Sequence, residues 1–184
     1  MAAPHHHPHG GSHILIIEPH RDSWKHDFEI EAAKIRSALG PALIVLHHIG
    51  STAIPGIYAK PIIDILAEVT SLDALDVHVN DMRALGYESM GEFGIPGRRY
   101  FRKDNDGGMR THHVHAFAHQ SPHIVRHLAF REYLLSHPET AQAYSDLKRR
   151  LVQTCDGDID AYVEGKDAFV KAVEREALIW ARGN

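Results

Sequence analysis

Apolar positions along the chain fall into two short dense runs and several longer periodic stripes. Leu43 to Leu46 and Ile62 to Val69 are dense, and they read as strands over residues 42–49 and 61–69. Strand alternation sets Ile62, Asp64, Leu66 and Glu68 on one face of the second strand. Ile63, Ile65, Ala67 and Val69 take the other face and are expected to pack on helices. Trp24, Phe28, Ala32, Ile35 and Leu39 recur at helical spacing, which predicts a helix from about Trp24 to Leu39. Asp22 or Ser23 would cap it, and Gly40-Pro41 would end it. Thr70 or Ser71 starts a second helix reaching about Leu85, with the stripe Leu72, Leu75, Val79 and Met82 and a stop at Gly86. Ile14 to Glu18 reads as an edge strand or an extended lead-in, and Tyr87 to Met90 as a short strand. Residues 91–97 form a loop, and residues 98–104 and 110–118 a hairpin around Asn105-Asp106-Gly107-Gly108.

The last third is helical in pattern. Ser121-Pro122 opens residues 122–136, with Ile124, Leu128 and Leu135 apolar. His137-Pro138 opens the next helix, with Ala141, Tyr144, Leu147 and Leu151 in a stripe. After a turn at Asp156-Gly157-Asp158, a final helix from about Ile159 to Ala181 carries Tyr162, Phe169, Val173 and Trp180. The expected fold is α/β (α+β): a mixed sheet packed by helices, with a C-terminal helical layer walling one side of a cleft.

Composition narrows the class. At 184 residues, with 43% hydrophobic and 24% charged content, residues 14–184 are expected to form a single soluble domain. A net charge of -4 gives no global pull towards nucleic acid or acidic membranes. Cys155 is the one cysteine, so the chain has no internal disulfide. No signal-peptide core or apolar run of about 18 residues occurs, which points to a cytoplasmic protein off the membrane. Five of the 17 histidines lie in the first thirteen residues, and residues 1–13 read as a flexible leader or tag remnant.

Candidate chemistry concentrates between His47 and Val69. A carboxylate within Ile62-Ile63-Asp64-Ile65-Leu66 is costly to bury without a partner. Gly50 lets backbone approach a ligand. Ser51 and Thr52 can cap a short helix whose free N–H groups face an anion. The hairpin adds a second cluster: Arg98, Arg99, Arg102, Lys103 and Arg110 bring five of the twenty basic residues into thirteen positions. His113 and His115 share one strand face at a spacing suited to metal ligation. Arg126, His127 and Arg131 are further candidates on the first C-terminal helix.

Gly50-Ser51 followed by Asp64 inside an apolar strand resembles the nucleotidyltransferase signature of the DNA polymerase β-like superfamily. HIGSTAIPGIYAKPIIDI, the HHVHAF run at 112–117, RHLAFREYLLSHPETAQAY and LKRRL resemble the GrpB family, also called UPF0157, from about Glu18 to Phe169. The resemblance implies a nucleotidyltransferase fold in which the Gly-Ser turn holds phosphates and strand acids bind metal. Transferred to this chain, it implies a metal-dependent nucleotidyltransferase of unspecified substrate. Gly50, Ser51, Thr52, Lys60 and Arg99 would bind a nucleotide or other phosphate compound. Asp64 would be catalytic, and with His113 and His115 would hold a divalent ion, Mg or Mn, with Zn as an alternative. The chain departs from the signature at Leu66, where a second carboxylate is usual. That leaves two alternatives: a non-catalytic nucleotide- or anion-binding module, and a transition-metal hydrolase.

Overall fold

The structure, a computed structural model, describes residues 15–183, so the histidine-rich leader and Ile14 lie outside the described residues. Five strands form one mixed sheet: β1 (Leu43–Ile49), β2 (Ile63–Val69), β3 (Tyr87–Ser89), β4 (Arg98–Asp104) and β5 (Arg110–Ala118). Their spatial order is β1-β2-β5-β4-β3. β2 runs parallel to β5, and every other pairing is antiparallel. The hairpin of β4 and β5 thus inserts β5 directly beside β2, with Asp64 level with His113 and Leu66 level with His115. Among its described residues the lead-in makes a single antiparallel bridge, between Glu18 and Ala59.

One sheet face is covered as its alternation requires. Trp24, Ala32, Ile35 and Leu39 of α1 (Ser23–Leu39) pack on Ile63, Ile65, Ala67 and Val69, which are almost fully buried. The expected helix over 71–85 is two shorter ones, α2 (Leu72–Asp76) and α3 (Val79–Ala84), separated by a turn at Val77-His78. The turn keeps Leu75 and Met82 buried while turning Asp76 towards Arg99, and His78 Nδ1 bonds Asp81 at 2.9 Å across it.

The opposite face is closed only in part. α4 (Pro122–Ser136) lays Ile124 and Leu128 over Leu66, Phe117 and Ile49. Further along, α4 turns from the sheet to α5 (Pro138–Thr154) and α6 (Ile159–Arg182), where Leu134, Ala141, Tyr144 and Val173 enclose Ile54 and Ile57. This change of partner explains why Leu134 is buried and the expected Leu135 is 43% exposed. β1 carries a register irregularity between Leu43 and Val45, with Ile44 exposed on the free edge. No helix among the described residues is long and apolar enough to cross a membrane.

The helix-packed face contains one charge that depends on its neighbours. Glu31 of α1 is 3% exposed and accepts from Lys103 Nζ at 2.8 Å and Lys34 Nζ at 3.3 Å. Burial alone would raise its pKa, but the Lys103 bond and charge, with His112 and Tyr87, together outweigh this and hold it below the usual carboxylate range. Lys103→Met should therefore destabilise the fold by about 3 kcal/mol, as expected for removing one partner of a buried pair. Urea denaturation near neutral pH checks this, and an unchanged midpoint would show that Lys34 suffices.

Candidate metal and anion site

Asp64 sits in the second position of β2, beside the loop that leaves β1. A side chain at Gly50 has no room there: a Cβ would lie 2.5 Å from Asp64 Oδ2. Gly50 also holds φ +71, a left-handed conformation that other residues enter at a cost. The glycine thus lets the loop backbone close over the carboxylate. From the neighbouring strand, His113 Nδ1 approaches Asp64 Oδ1 to 3.1 Å and His115 Nε2 to 3.7 Å. Asp64, His113 and His115 keep side-chain exposures of 28%, 22% and 16%, so the cluster is recessed yet reachable from solvent.

Burial would raise the Asp64 pKa, but the hydrogen bond from His113 and the closeness of the His115 ring together prevail and hold it below the usual carboxylate range. Burial pushes His115 down in turn, against the pull of the nearby Asp64 carboxylate. Arg98 Nη1 lies 3.4 Å from His115 Nδ1 and can only donate, so Nδ1 accepts and Nε2 carries the proton that faces Asp64. Ligand atoms of the three residues lie within 4.8 Å of one another, a spacing that closes on a single ion with bonds of about 2.0–2.2 Å after small side-chain adjustments. One carboxylate and two imidazoles make a nitrogen-rich donor set. His113 is the readier nitrogen ligand, because a metal on His115 Nε2 must first displace the proton that Arg98 favours there.

Leu66 explains why no second carboxylate completes this set. It is fully buried against Ile49, Phe117 and Ile124, so its place is part of the core beneath α4. Glu68, two residues on, has its side chain 12% exposed: its carboxylate accepts from His119 Nδ1, and it stays clear of the cluster.

A set of cations borders the Gly50-Ser51 turn from the helical side. Lys148 of α5 is 2% exposed, and its Nζ donates to Ser51 Oγ at 2.8 Å and to the carbonyl of Tyr58. It also lies 4.4 Å from the centre of the Tyr144 ring. Lys166 of α6 and Lys60 of the loop sit at 4.4 Å and 4.8 Å over the Tyr162 ring. Among the described residues none of these three lysines forms an ion pair. Burial pushes Lys148 down to about 7 and Lys166 down to about 8, with a neighbouring lysine adding to each shift. Asp64 acts on Lys60 and Lys166 in the opposite sense, which ties the lysines electrically to the Asp64 cluster. The loop is anchored on the same helix: Tyr58 N donates to Ser145 Oγ at 2.8 Å.

The structure therefore brings Gly50, Ser51, Lys60, Asp64, His113 and His115 into one region. Thr52 is next to it but buried and committed, with His48 Nε2 at 2.9 Å and the Ile62 carbonyl at 3.3 Å. Arg99 is elsewhere. Alternation carries it to the helix-packed face, where it grips Asp76 through two bonds of 2.7 and 2.8 Å, and it drops out of the site. Arg126 is paired with Glu174, and Arg131 braces β1 through the His48 carbonyl at 2.9 Å. His127 stands with its ring 5.7 Å from that of His115. Lys148 and Lys166 are not among the candidates expected from the sequence, since neither falls in a basic cluster beside the central motif. Their signal was spacing: each follows a buried tyrosine, Tyr144 or Tyr162, by one helical turn.

The family model described as GrpB protein matches residues 14–176. The UPF0157 protein YqkA of Bacillus subtilis is 44% identical over 89% of this chain, which spans 47% of that relative, about half its length. The glutamate-rich protein GrpB of Alkalihalophilus pseudofirmus is 32% identical, with 88% of this chain matched to 95% of that protein. The crystal structure of conserved protein GrpB from Enterococcus faecalis superposes with a TM-score of 0.86 at 42% identity, covering 90% of this chain and 99% of that one. A remote overlay, with a TM-score of 0.46 at 12% identity over 71% of this chain and 45% of the other, is with the Cid1 poly(U) polymerase.

Gly50→Ala should force the loop off Asp64 and cost roughly 1–3 kcal/mol through backbone strain. Retention of wild-type stability and of unchanged His113 and His115 NMR shifts would contradict the close approach. A second expectation concerns pH. Burial pulls His48 down to about 4 and His127 down to about 3, so both stay neutral in the fold. The unfolded chain binds their protons below about 6.5. Stability should thus fall as pH drops from about 6.5 to 5, before carboxylates titrate, and the urea midpoint reads it directly.

Proposed function

Because this chain belongs to the GrpB family, we propose that it binds a nucleotide or other phosphate-containing small molecule together with one divalent metal ion, for metal-dependent nucleotidyl transfer. The observation that carries the reading is the meeting of two halves. A carboxylate with two imidazole nitrogens lies on the sheet, and lysines without acidic partners lie across the Gly50-Ser51 turn. The Gly-Ser turn followed by a strand aspartate, which resembles the nucleotidyltransferase signature, supports the same assignment.

In this reading Asp64 holds the ion, with His113 and then His115 as nitrogen donors. The ion supplies charge neutralisation and polarisation of a phosphoryl oxygen. Gly50 and Ser51 receive the phosphates, and Lys60, Lys148 and Lys166 neutralise them. Thr52 holds the loop in place rather than touching ligand. Soft and hard ions differ here: the imidazoles suit Mn or Zn better than Mg.

Leu66 favours a second reading, a binding module that performs no transfer. Two-metal phosphoryl transfer needs acids that hold ions roughly 3.5–4 Å apart, and the place for the second acid is buried core. One experiment separates the readings. Calorimetry with Mg²⁺, Mn²⁺ and Zn²⁺, with and without nucleoside triphosphate, should show metal-supported binding. Asp64→Asn and His113→Ala should each weaken it roughly 10–100-fold or more, with the fold intact. Pyrophosphate release in the same mixtures, to water or to an added hydroxyl-bearing acceptor, supports transfer, and binding without release in any of them supports the module. No binding under any combination, with a destabilised Asp64→Asn, would leave Asp64 as part of a structural network.

A further inference from the structure

The cation half of the site has an unusual resting state. Lys148 Nζ is enclosed and, among the described residues, reaches only neutral acceptors, Ser51 Oγ and the Tyr58 carbonyl, beside the Tyr144 ring. The charged group that acts on it is Lys166, another cation, on α6. Lys60 approaches from the loop and shares the Tyr162 ring with Lys166. A buried ammonium without a counter-charge is costly, and a second and third ammonium close by make it more so. The free protein relieves that cost by letting an amine go neutral. An arriving polyanion reverses the balance, because it is the missing counter-charge.

We propose that binding of a polyphosphate group at the Ser51 turn is coupled to proton uptake by Lys148, so that the site recognises its ligand in part by charging its own lysine. This rests on the phosphate-binding reading above and adds a regulatory property to it. The geometry requires the coupling: Lys148 bonds the same Ser51 hydroxyl that borders the phosphate position, so an anion there lies next to the amine. Burial already holds Lys148 at about 7, near neutrality, which places the switch in the range where cells and assays operate. The sign follows. Below about pH 7 the amine is charged before the ligand comes, and no proton is taken up. Above it the free amine is neutral, binding must recruit a proton, and affinity falls by up to about tenfold per pH unit on this account. Lys148 is distinct from the Asp64 ligands, so the effect does not require metal.

The test uses inorganic triphosphate as the probe, on the full chain without metal. Calorimetry in pairs of buffers with different ionisation enthalpies counts the protons exchanged at pH 6.0 and pH 8.5. Lys148→Met removes the amine while leaving the probe's own titration in place, so the difference from wild type isolates Lys148. The proposal expects wild type to take up close to one proton more than Lys148→Met at pH 8.5, and the same number at pH 6.0. In parallel, NMR of the lysine ε-methylenes in wild type follows Lys148 directly, should the variant fold poorly. Its midpoint should move upward by at least one pH unit on adding triphosphate. Binding of triphosphate with an unmoved Lys148 midpoint and equal proton counts would overturn the coupling and leave the phosphate-binding reading standing. No binding of triphosphate at either pH would overturn the coupling, and no binding after adding Mn²⁺ as well would overturn the phosphate-binding reading too.

Discussion

A single carboxylate in the central strand sets the terms for the region around it. Asp64 cannot sit in β2 unsolvated, and the chain answers with three devices taken from three separate segments. The β5 histidines approach one oxygen, the Gly50 backbone closes over the other, and α4 turns to α5 and α6 and leaves the cluster partly exposed. Each answer constrains a larger element. The histidines require β5 to run beside β2 in one register, and Gly50 requires the β1–β2 loop to turn at a left-handed residue. The loop in turn hangs on α5 through Tyr58 and Ser145.

The two faces of the sheet follow different physical rules. The face towards α1 is an ordinary apolar core with one paired acid, Glu31. The face that carries Asp64 is divided along β2: Leu66 is dry and packed by α4, and Asp64, two residues earlier, is polar and partly wet. That division places the missing acid. A second carboxylate at Leu66 would lie against Phe117 and Ile124, where desolvation without a partner costs several kcal/mol on the order of a buried charge. The strand consequently offers one carboxylate beside two imidazoles, and the positive charge bordering that cluster comes from lysines.

Much of the fold was legible because strands, turns and helix starts are local features. The β1, β2, β4 and β5 boundaries follow from apolar runs and the Asn105–Gly108 turn, and the Ser121-Pro122 and His137-Pro138 signals mark α4 and α5. The side of β2 on which Asp64 faces follows from alternation alone. What was not legible depends on which partner an element meets. The split at Val77-His78 leaves the apolar spacing intact and so gives no signal in it. Arg99 looked like an anion ligand by its neighbours in sequence, yet strand parity sends it to the other face. Lys148 and Lys166 look like surface residues until α5 and α6 are folded over the 51–60 loop. Even Leu135 fails for this reason, since α4 changes partner midway along its length.

The bulge at Ile44 has a consequence for the chain's solubility. β1 is an outer strand, and a flat, apolar outer strand would offer a row of free amides and carbonyls for another molecule to extend the sheet. The shift in register between Leu43 and Val45 bends β1 at its start, where Ile44 is exposed, so the outer strand is not flat there. The other outer strand, β3, has only three residues and ends in Glu88 and Ser89, too short to template an intruder. Both rims are thus poor seeds for edge-to-edge aggregation, although the sheet between them is among the most apolar parts of the molecule.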